Sequence, residues 1–219
     1  MVKRFLLSLD SASAAEAAAA HELGFVGAVT TNPLLVAREG LRPLDALRRI
    51  LDACDCPVFY QPTAPEMKDA ATEIQEALEL RPGRVIAKLP ARADFFGLAA
   101  RLAGGGIMCA ATAVYSPGQA LVAAAAGCSW VIPYVDRARR LRPEETDVVA
   151  QLSEVLRAVP ERPAVLAASI KSVQQAVDAF RAGADAVTVP LPLLRELPEH
   201  PLTESAIEQF QAATRANVM

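Results

Sequence analysis

Among the residues able to do chemistry, one lysine stands out. Lys88 lies in Arg84-Val85-Ile86-Ala87-Lys88-Leu89-Pro90, an apolar run between a Pro82-Gly83 turn and a closing proline. Such a run reads as a short buried strand. An ammonium there is costly, and burial pulls a lysine toward its neutral form. A neutral amine is a nucleophile that condenses with a ketone or aldehyde to a Schiff base. The chain carries 18 arginines but only four lysines, Lys3, Lys68, Lys88 and Lys171. Arginine cannot be deprotonated in a protein, so a lysine in this run reads as chosen for its amine. The plain alternative is a strand-end lysine whose amine snorkels into water. The company that Lys88 keeps decides between the two.

Strand-like and helix-like stretches alternate along the chain. Strands are expected at 5–10, 27–31, 57–61, 84–89, 107–114, 130–135, 164–169 and 186–190. Helices are expected at 11–23, 33–39, 43–53, 66–80, 94–103, 117–127, 143–158, 172–182 and 203–215, with short helical turns near Leu193. Ser116-Pro117 supplies one N-cap and first helical position, and Gly183 one stop. Continuously apolar strands alternating with helices indicate a parallel α/β sheet. Eight such units closing on themselves make a (β/α)8 TIM barrel, here a single domain over 1–219 with short extra helices after strands 2 and 8. The competing fold, an open doubly wound sheet, usually places a glycine fingerprint after its first strand. Leu9-Asp10-Ser11-Ala12 has none, and Gly104-Gly105-Gly106 precedes a strand, so it reads as a turn.

Side chains along a strand alternate between two faces. One parity carries polar residues near the C-terminal ends of seven strands: Asp10, Thr30 with Asn32, Gln61, Lys88, Thr112, Tyr134 and Ser169. The opposite parity is mostly apolar. These groups converge on the C-terminal mouth, where active sites sit on this fold. Buried polar groups without a task are expensive, so their number around Lys88 favours the nucleophile.

Composition narrows the partners. Of 219 residues, 53% are hydrophobic and 21% charged, which suits a well-filled core. The net charge of −3 and the lack of a basic run with aromatics argue against nucleic acid or an anionic membrane. No apolar run reaches the ~18 residues of a membrane span. The opening Met1–Asp10 stretch is broken by Asp10 and reads as a strand, not a signal peptide. Cys54-Asp55-Cys56 has the wrong spacing for a zinc knuckle, with no histidine nearby. Four cysteines without a disulfide pattern suit a reduced, cytoplasmic protein. His21 and His200 receive no role, and neither a metal nor a cofactor is expected.

Five separated motifs also carry a resemblance. They are Val29-Thr30-Thr31-Asn32-Pro33, Val85-Ile86-Ala87-Lys88-Leu89-Pro90, Ala111-Thr112-Ala113-Val114-Tyr115, Pro133-Tyr134-Val135-Asp136-Arg137 and Leu166-Ala167-Ala168-Ser169-Ile170-Lys171. In order and spacing, from about residue 5 to 210, the chain resembles the small bacterial transaldolase family, most closely its fructose-6-phosphate aldolase branch. The resemblance implies a TIM barrel with Lys88 as Schiff-base nucleophile. It implies that Asp10 and Asn32 hold substrate hydroxyls and assist proton handling. Tyr134 becomes the general acid/base, with Gln61 and Thr112 positioning the catalytic water. Arg137, Ser169 and Lys171 would receive a phosphate. Gln61, where transaldolases usually have glutamate, and Tyr134 favour aldol cleavage with free dihydroxyacetone over transfer between sugars. A non-catalytic sugar-phosphate-binding barrel remains the alternative from another class. Homo-oligomers, rings of five often paired, are usual for the family.

The chain also departs from the family. Ala138-Arg139-Arg140-Leu141-Arg142-Pro143 replaces an aspartate- and glycine-bearing loop. Ile132 stands where a small residue usually borders the donor pocket, and Ala110 where a larger one is usual. The chemistry that these residues allow runs from amine attack on a ketone, through loss of water, to an iminium. That iminium is an electron sink for carbon–carbon cleavage. A free phenol is a poor base at neutral pH, so Tyr134 is expected to work through a held water.

Overall fold

The computed structural model describes residues 5–141 and 147–216. Its strands are β1 (Leu7–Asp10), β2 (Ala28–Thr30), β3 (Val58–Tyr60), β4 (Val85–Pro90), β5 (Cys109–Val114), β6 (Trp130–Pro133), β7 (Ala164–Ala167) and β8 (Ala186–Val189). Each pairs in parallel with the next, and β8 returns to β1, so the sheet closes into a barrel. The helices around it are α1 (Ala14–Glu22), α2 (Pro33–Arg38), α3 (Pro43–Ala53), α4 (Met67–Leu80), α5 (Ala93–Gly104) and α6 (Pro117–Ala125). They continue with α7 (Val135–Leu141), α8 (Val148–Leu156), α9 (Val173–Arg181), α10 (Leu191–Glu196) and α11 (Pro201–Ala216). This is the expected (β/α)8 barrel, with the short helices α2 and α10 after β2 and β8. Among the described residues no helix is long and apolar enough to cross a membrane.

Strand parity separates two cores. Leu9, Val29, Val58, Val85, Ala87, Leu89, Ala111, Val131, Val165 and Val187 face the helices. Phe5, Ala28, Phe59, Ile86, Ala110, Trp130, Ile132, Leu166 and Ala186 fill the barrel. At its N-terminal end Phe5 stacks on Trp130 with ring centroids 4.8 Å apart, and Phe59 meets both edge-on at 6.0 and 5.8 Å. Offset-stacked and edge-to-face contacts of this kind suit the ring quadrupoles and close the barrel floor. Gly27 is required there, because a Cβ would fall 2.3 Å from Cβ of Phe5.

Three expectations need correction. The sixth strand, expected over 130–135, ends at Pro133, and Val135 already belongs to α7. Residues 138–141 continue that helix, in which Arg140 reaches back one turn to Asp136 at 2.9 Å. The helix expected over 143–158 is described only as α8, Val148–Leu156, and Arg142 lies outside the described residues. The seventh strand stops at Ala167, and Ser169 adopts a left-handed backbone with φ 61°. Ser169 thus reaches the mouth from a turn, not from the pleat. Proline at 133 and the bridge of Tyr134 to Ala168 mark where sheet gives way to helix.

Candidate active site

Lys88 is set by the pleat of β4, whose burial is continuous from Val85 to Leu89. Its side chain points inward between Ile86 and the mouth and is only 3% exposed. The amine does not snorkel to water. Its Nζ donates to the Thr31 carbonyl at 2.6 Å, at the end of β2. An amine this deeply buried must find partners, and the next strands supply them.

A cavity of about 180 Å³ opens above Lys88. It is smaller than drug-sized sites of about 300–1,000 Å³ and suits a small metabolite. Nine of the expected residues line it: Asp10, Thr30, Asn32, Lys88, Ile132, Tyr134, Arg137, Ser169 and Lys171. On one side Thr30 Oγ1 donates to Asp10 Oδ1 at 3.1 Å and lies 2.7 Å from Thr188 Oγ1. Thr30 has one proton, so with that proton on Asp10, Thr188 is the donor to Thr30. Burial raises the Asp10 pKa, opposed first by the charge of Lys88, then by the Thr30 hydrogen bond and by Lys171. A carboxyl tuned in this way can exchange a proton more readily than an exposed aspartate.

Asn32 serves two masters. Its Oδ1 accepts from the backbone N–H groups of Leu34 and Leu35 at 3.0 and 3.1 Å, capping α2 with Pro33 in the first helical position. Its amide nitrogen then carries the donors left for a ligand. On the opposite side Tyr134 accepts a hydrogen bond from Thr112 Oγ1 at 3.3 Å. Arg137 lies over the Tyr134 ring at 5.1 Å and is hydrogen-bonded to the Tyr115 side chain. A bulge in β5 at Ala113, with φ 57°, shifts the register against β6 beside Thr112. Bulges near sites re-aim side chains, and this one lies next to the Thr112–Tyr134 pair.

Two expected residues are not on the cavity wall. Thr112 is fully buried and hydrogen-bonds to Tyr134, which does line the cavity. Gln61 has its Oε1 buried without a hydrogen-bond partner. The segment around it is nevertheless fixed. Glu73 of α4 accepts from Tyr60 Oη at 2.6 Å, from the N–H groups of Thr63 and Ala64, and from the Thr63 hydroxyl. Gln61 is thus bracketed by residues anchored on a single carboxylate. Burial and that carboxylate push the Tyr60 hydroxyl up, so it stays a donor.

The cavity also includes residues that sequence reasoning missed: Thr188, Arg38, Leu34, Leu35 and Ala168. Thr188 had a signal. In Ala186-Val187-Thr188-Val189 it is the lone polar residue and shares the inward parity of Ala186. Arg38 had none, because its position depends on the direction in which α2 leaves the mouth. The cations Arg38, Arg137 and Lys171 line the cavity against one carboxylate, Asp10, so the cavity favours an anion.

A closed parallel barrel with a buried lysine at a polar C-terminal mouth defines a class of protein, and comparison with known sequences narrows it. The family described as Transaldolase/Fructose-6-phosphate aldolase matches residues 7–219, so the chain belongs to that family of aldolase- and transferase-type enzymes. It is 35% identical over 202 residues to a probable transaldolase of Heliobacterium modesticaldum, covering 92% of this chain and 94% of that one. A probable transaldolase of Symbiobacterium thermophilum is 34% identical over 204 residues, covering 93% and 94%. Two solved structures share the fold alone, each at 16% identity. A mandelate oxidase variant has a TM-score of 0.62, with 85% of this chain and 64% of that one covered. Inosine 5'-monophosphate dehydrogenase from Legionella pneumophila has a TM-score of 0.58, with 86% and 58% covered. The chain thus spans less than two thirds of either of these two proteins.

Proposed function

We propose that the protein is a class I aldolase that reversibly cleaves fructose 6-phosphate, or a similar ketose phosphate, to dihydroxyacetone and glyceraldehyde 3-phosphate. The observation that carries this reading is the buried Lys88 amine among Asp10, Thr30, Tyr134 and Thr188. In it, the Lys88 amine adds to the ketone carbonyl, and the carbinolamine loses water with a proton from Tyr134. The iminium draws the electron pair of the neighbouring carbon–carbon bond. That bond breaks as the hydroxyl of the departing aldehyde gives up its proton, and the enamine is then protonated and hydrolysed. Asp10 and Asn32 hold donor hydroxyls, while Arg137, Ser169 and Lys171 receive the phosphate. Gln61 and Thr112 hold the water through which Tyr134 passes protons. The unpartnered Oε1 of Gln61 supports that role, since a buried acceptor normally finds a partner. Ile132, fully buried on the cavity wall, presses an apolar surface on the donor and narrows donor choice.

A second reading, transfer of a dihydroxyacetone unit between sugar phosphates, is favoured by the relatives named probable transaldolases. The two are separated by incubating the protein with fructose 6-phosphate alone and then with erythrose 4-phosphate. Net release of dihydroxyacetone in the first reaction supports the aldolase. Turnover only in the second would replace it with the transaldolase. Borohydride with dihydroxyacetone should leave a reduced adduct that maps to Lys88. No adduct would reduce the protein to a non-catalytic sugar-phosphate-binding barrel.

The protein is further proposed to work as a homo-oligomer, a pentamer or decamer. Helix α11 exposes Leu202, Ile207 and Phe210 and, over its described residues 201–215, has none fully buried, which supports a neighbouring subunit as its partner. Light scattering on the purified protein tests this, and a monomer would refute it. The four free thiols fit a cytoplasmic setting.

A further inference from the structure

The end of the barrel remote from the mouth carries a chemical group that the reaction above does not use. Cys54 caps the C-terminus of α3, and Cys56 lies just before β3. The Cys56 thiol donates to the Cys54 sulfur at 3.0 Å. Arg84, which leads into β4, donates to the carbonyls of Leu51 at 3.1 Å, of Cys56 at 3.2 Å and of Cys54. One guanidinium thus ties down both ends of Cys54-Asp55-Cys56 and places its charge beside the sulfurs, with Asp55 3.9 Å away.

The pair shares its proton unequally. Cys54 is lowered to about 6, first by the hydrogen bond from the Cys56 thiol, against the opposing effect of burial, then by the Cys56 backbone N–H and the Arg84 charge. Cys56 is raised for the same reason, because it keeps the proton it lends. The other two cysteines differ. Burial pushes Cys109 up to about 12 and Cys128 to about 11, which makes both poor nucleophiles. Cys54 is 4% exposed, whereas Cys56 is half-buried and reachable.

We propose that Cys54 and Cys56 form a dithiol site that reacts with small-molecule disulfides such as oxidised glutathione and closes to an intramolecular disulfide. Cys56, the reachable sulfur, attacks one sulfur of the small disulfide as its proton passes across the 3.0 Å hydrogen bond to the Cys54 thiolate, which breaks the S–S bond of the small disulfide and releases one thiolate. Cys54 then loses that proton and attacks the Cys56 sulfur of the mixed disulfide, expelling the second thiolate. The two protein sulfurs are oxidised by two electrons, the small disulfide is reduced to two thiols, and the leaving sulfurs take up the pair's one shared proton and one from water.

The test uses the whole folded protein with oxidised glutathione, followed by native thiol counting, intact mass and peptide mapping. The expected result is loss of two of the four thiols, a mass lower by two hydrogens, and a disulfide confined to the 54–56 peptide that dithiothreitol reverses. A Cys109→Ser/Cys128→Ser variant should behave identically. Cys54→Ser should stop at a stable glutathione adduct on Cys56. Four thiols still countable, a lasting glutathione adduct on the wild-type protein, or a disulfide linking any other pair would each overturn the proposal.

Discussion

The same eight strands build two opposite ends of one barrel interior, and the two ends obey different rules. At the N-terminal end Phe5, Phe59 and Trp130 interlock over Ile86 and Leu166. Every atom there gains from burial, and close packing is its own reward. At the C-terminal end Lys88, Thr30, Thr112 and Thr188 are almost wholly buried, with Asp10 beside them. Each of these groups costs free energy to desolvate and recovers only part of it through its neighbours. The comparison teaches that one end of the barrel holds the fold together while the other draws on that stability. Ser8 marks the border between them. It pairs with Thr188 in register, faces the interior, and has a buried hydroxyl without a partner.

Substitutions at the two ends should therefore fail in opposite ways. Lys88→Met is expected to lower turnover by roughly 10⁵-fold, the scale of losing a covalent nucleophile. It should also abolish the borohydride adduct without lowering the melting temperature. A protein that keeps its activity would break the contrast outright. Tyr134→Phe should lower kcat by about 10²–10⁴-fold, the usual range for a general acid or base. Its unfolding midpoint in urea should barely move. Trp130→Ala, from the floor, should do the reverse. It should cost about 3–5 kcal/mol of stability, as for large aromatic truncations, while the folded fraction keeps its kcat. Denaturant titration beside active-site-normalised rates would show this.

The smallest effect sharpens the comparison most. Burial raises the Asp10 pKa above its value in the unfolded chain. Its contribution to stability is therefore fully present below the unfolded pKa and is lost as pH rises through the raised folded one. Asp10→Asn does not titrate, so it should match the wild type in acid and gain on it toward neutral pH while losing activity. Melting temperatures of both proteins across that range are the measurement. A variant that grows less stable with rising pH relative to the wild type would reverse the assigned sign.

Much of this was legible in the chain. Period-two alternation assigned Asp10, Thr30, Lys88 and Thr112 to the interior, because a pleated strand leaves a side chain only two directions. Thr188 obeys the same rule, since its place in Ala186-Val187-Thr188-Val189 gives it the inward face of Ala186. Ser169 and the start of α7 were misplaced for another reason. Apolar residues continue past Pro133 and Ala167, so period-two alternation alone runs both strands on past the point where pairing stops. Arg38 and the anchoring of the Gln61 segment by Glu73 were beyond reach, since both depend on how a helix lies against a loop distant in sequence.

What the sequence determined by itself was the alternation of elements, the face on which each strand side chain lies, and the chemical types gathered there. These follow from local geometry, which every residue carries with it. Only the tertiary structure decided which of those groups touch. The 2.6 Å contact of Lys88 with the Thr31 carbonyl, the Thr188–Thr30–Asp10 chain and the reach of Arg84 to the Cys54 and Cys56 carbonyls all required segments distant in sequence to come together in the barrel. Closure sets the separation between strands and the direction of each departing helix, and no window of neighbouring residues contains either quantity.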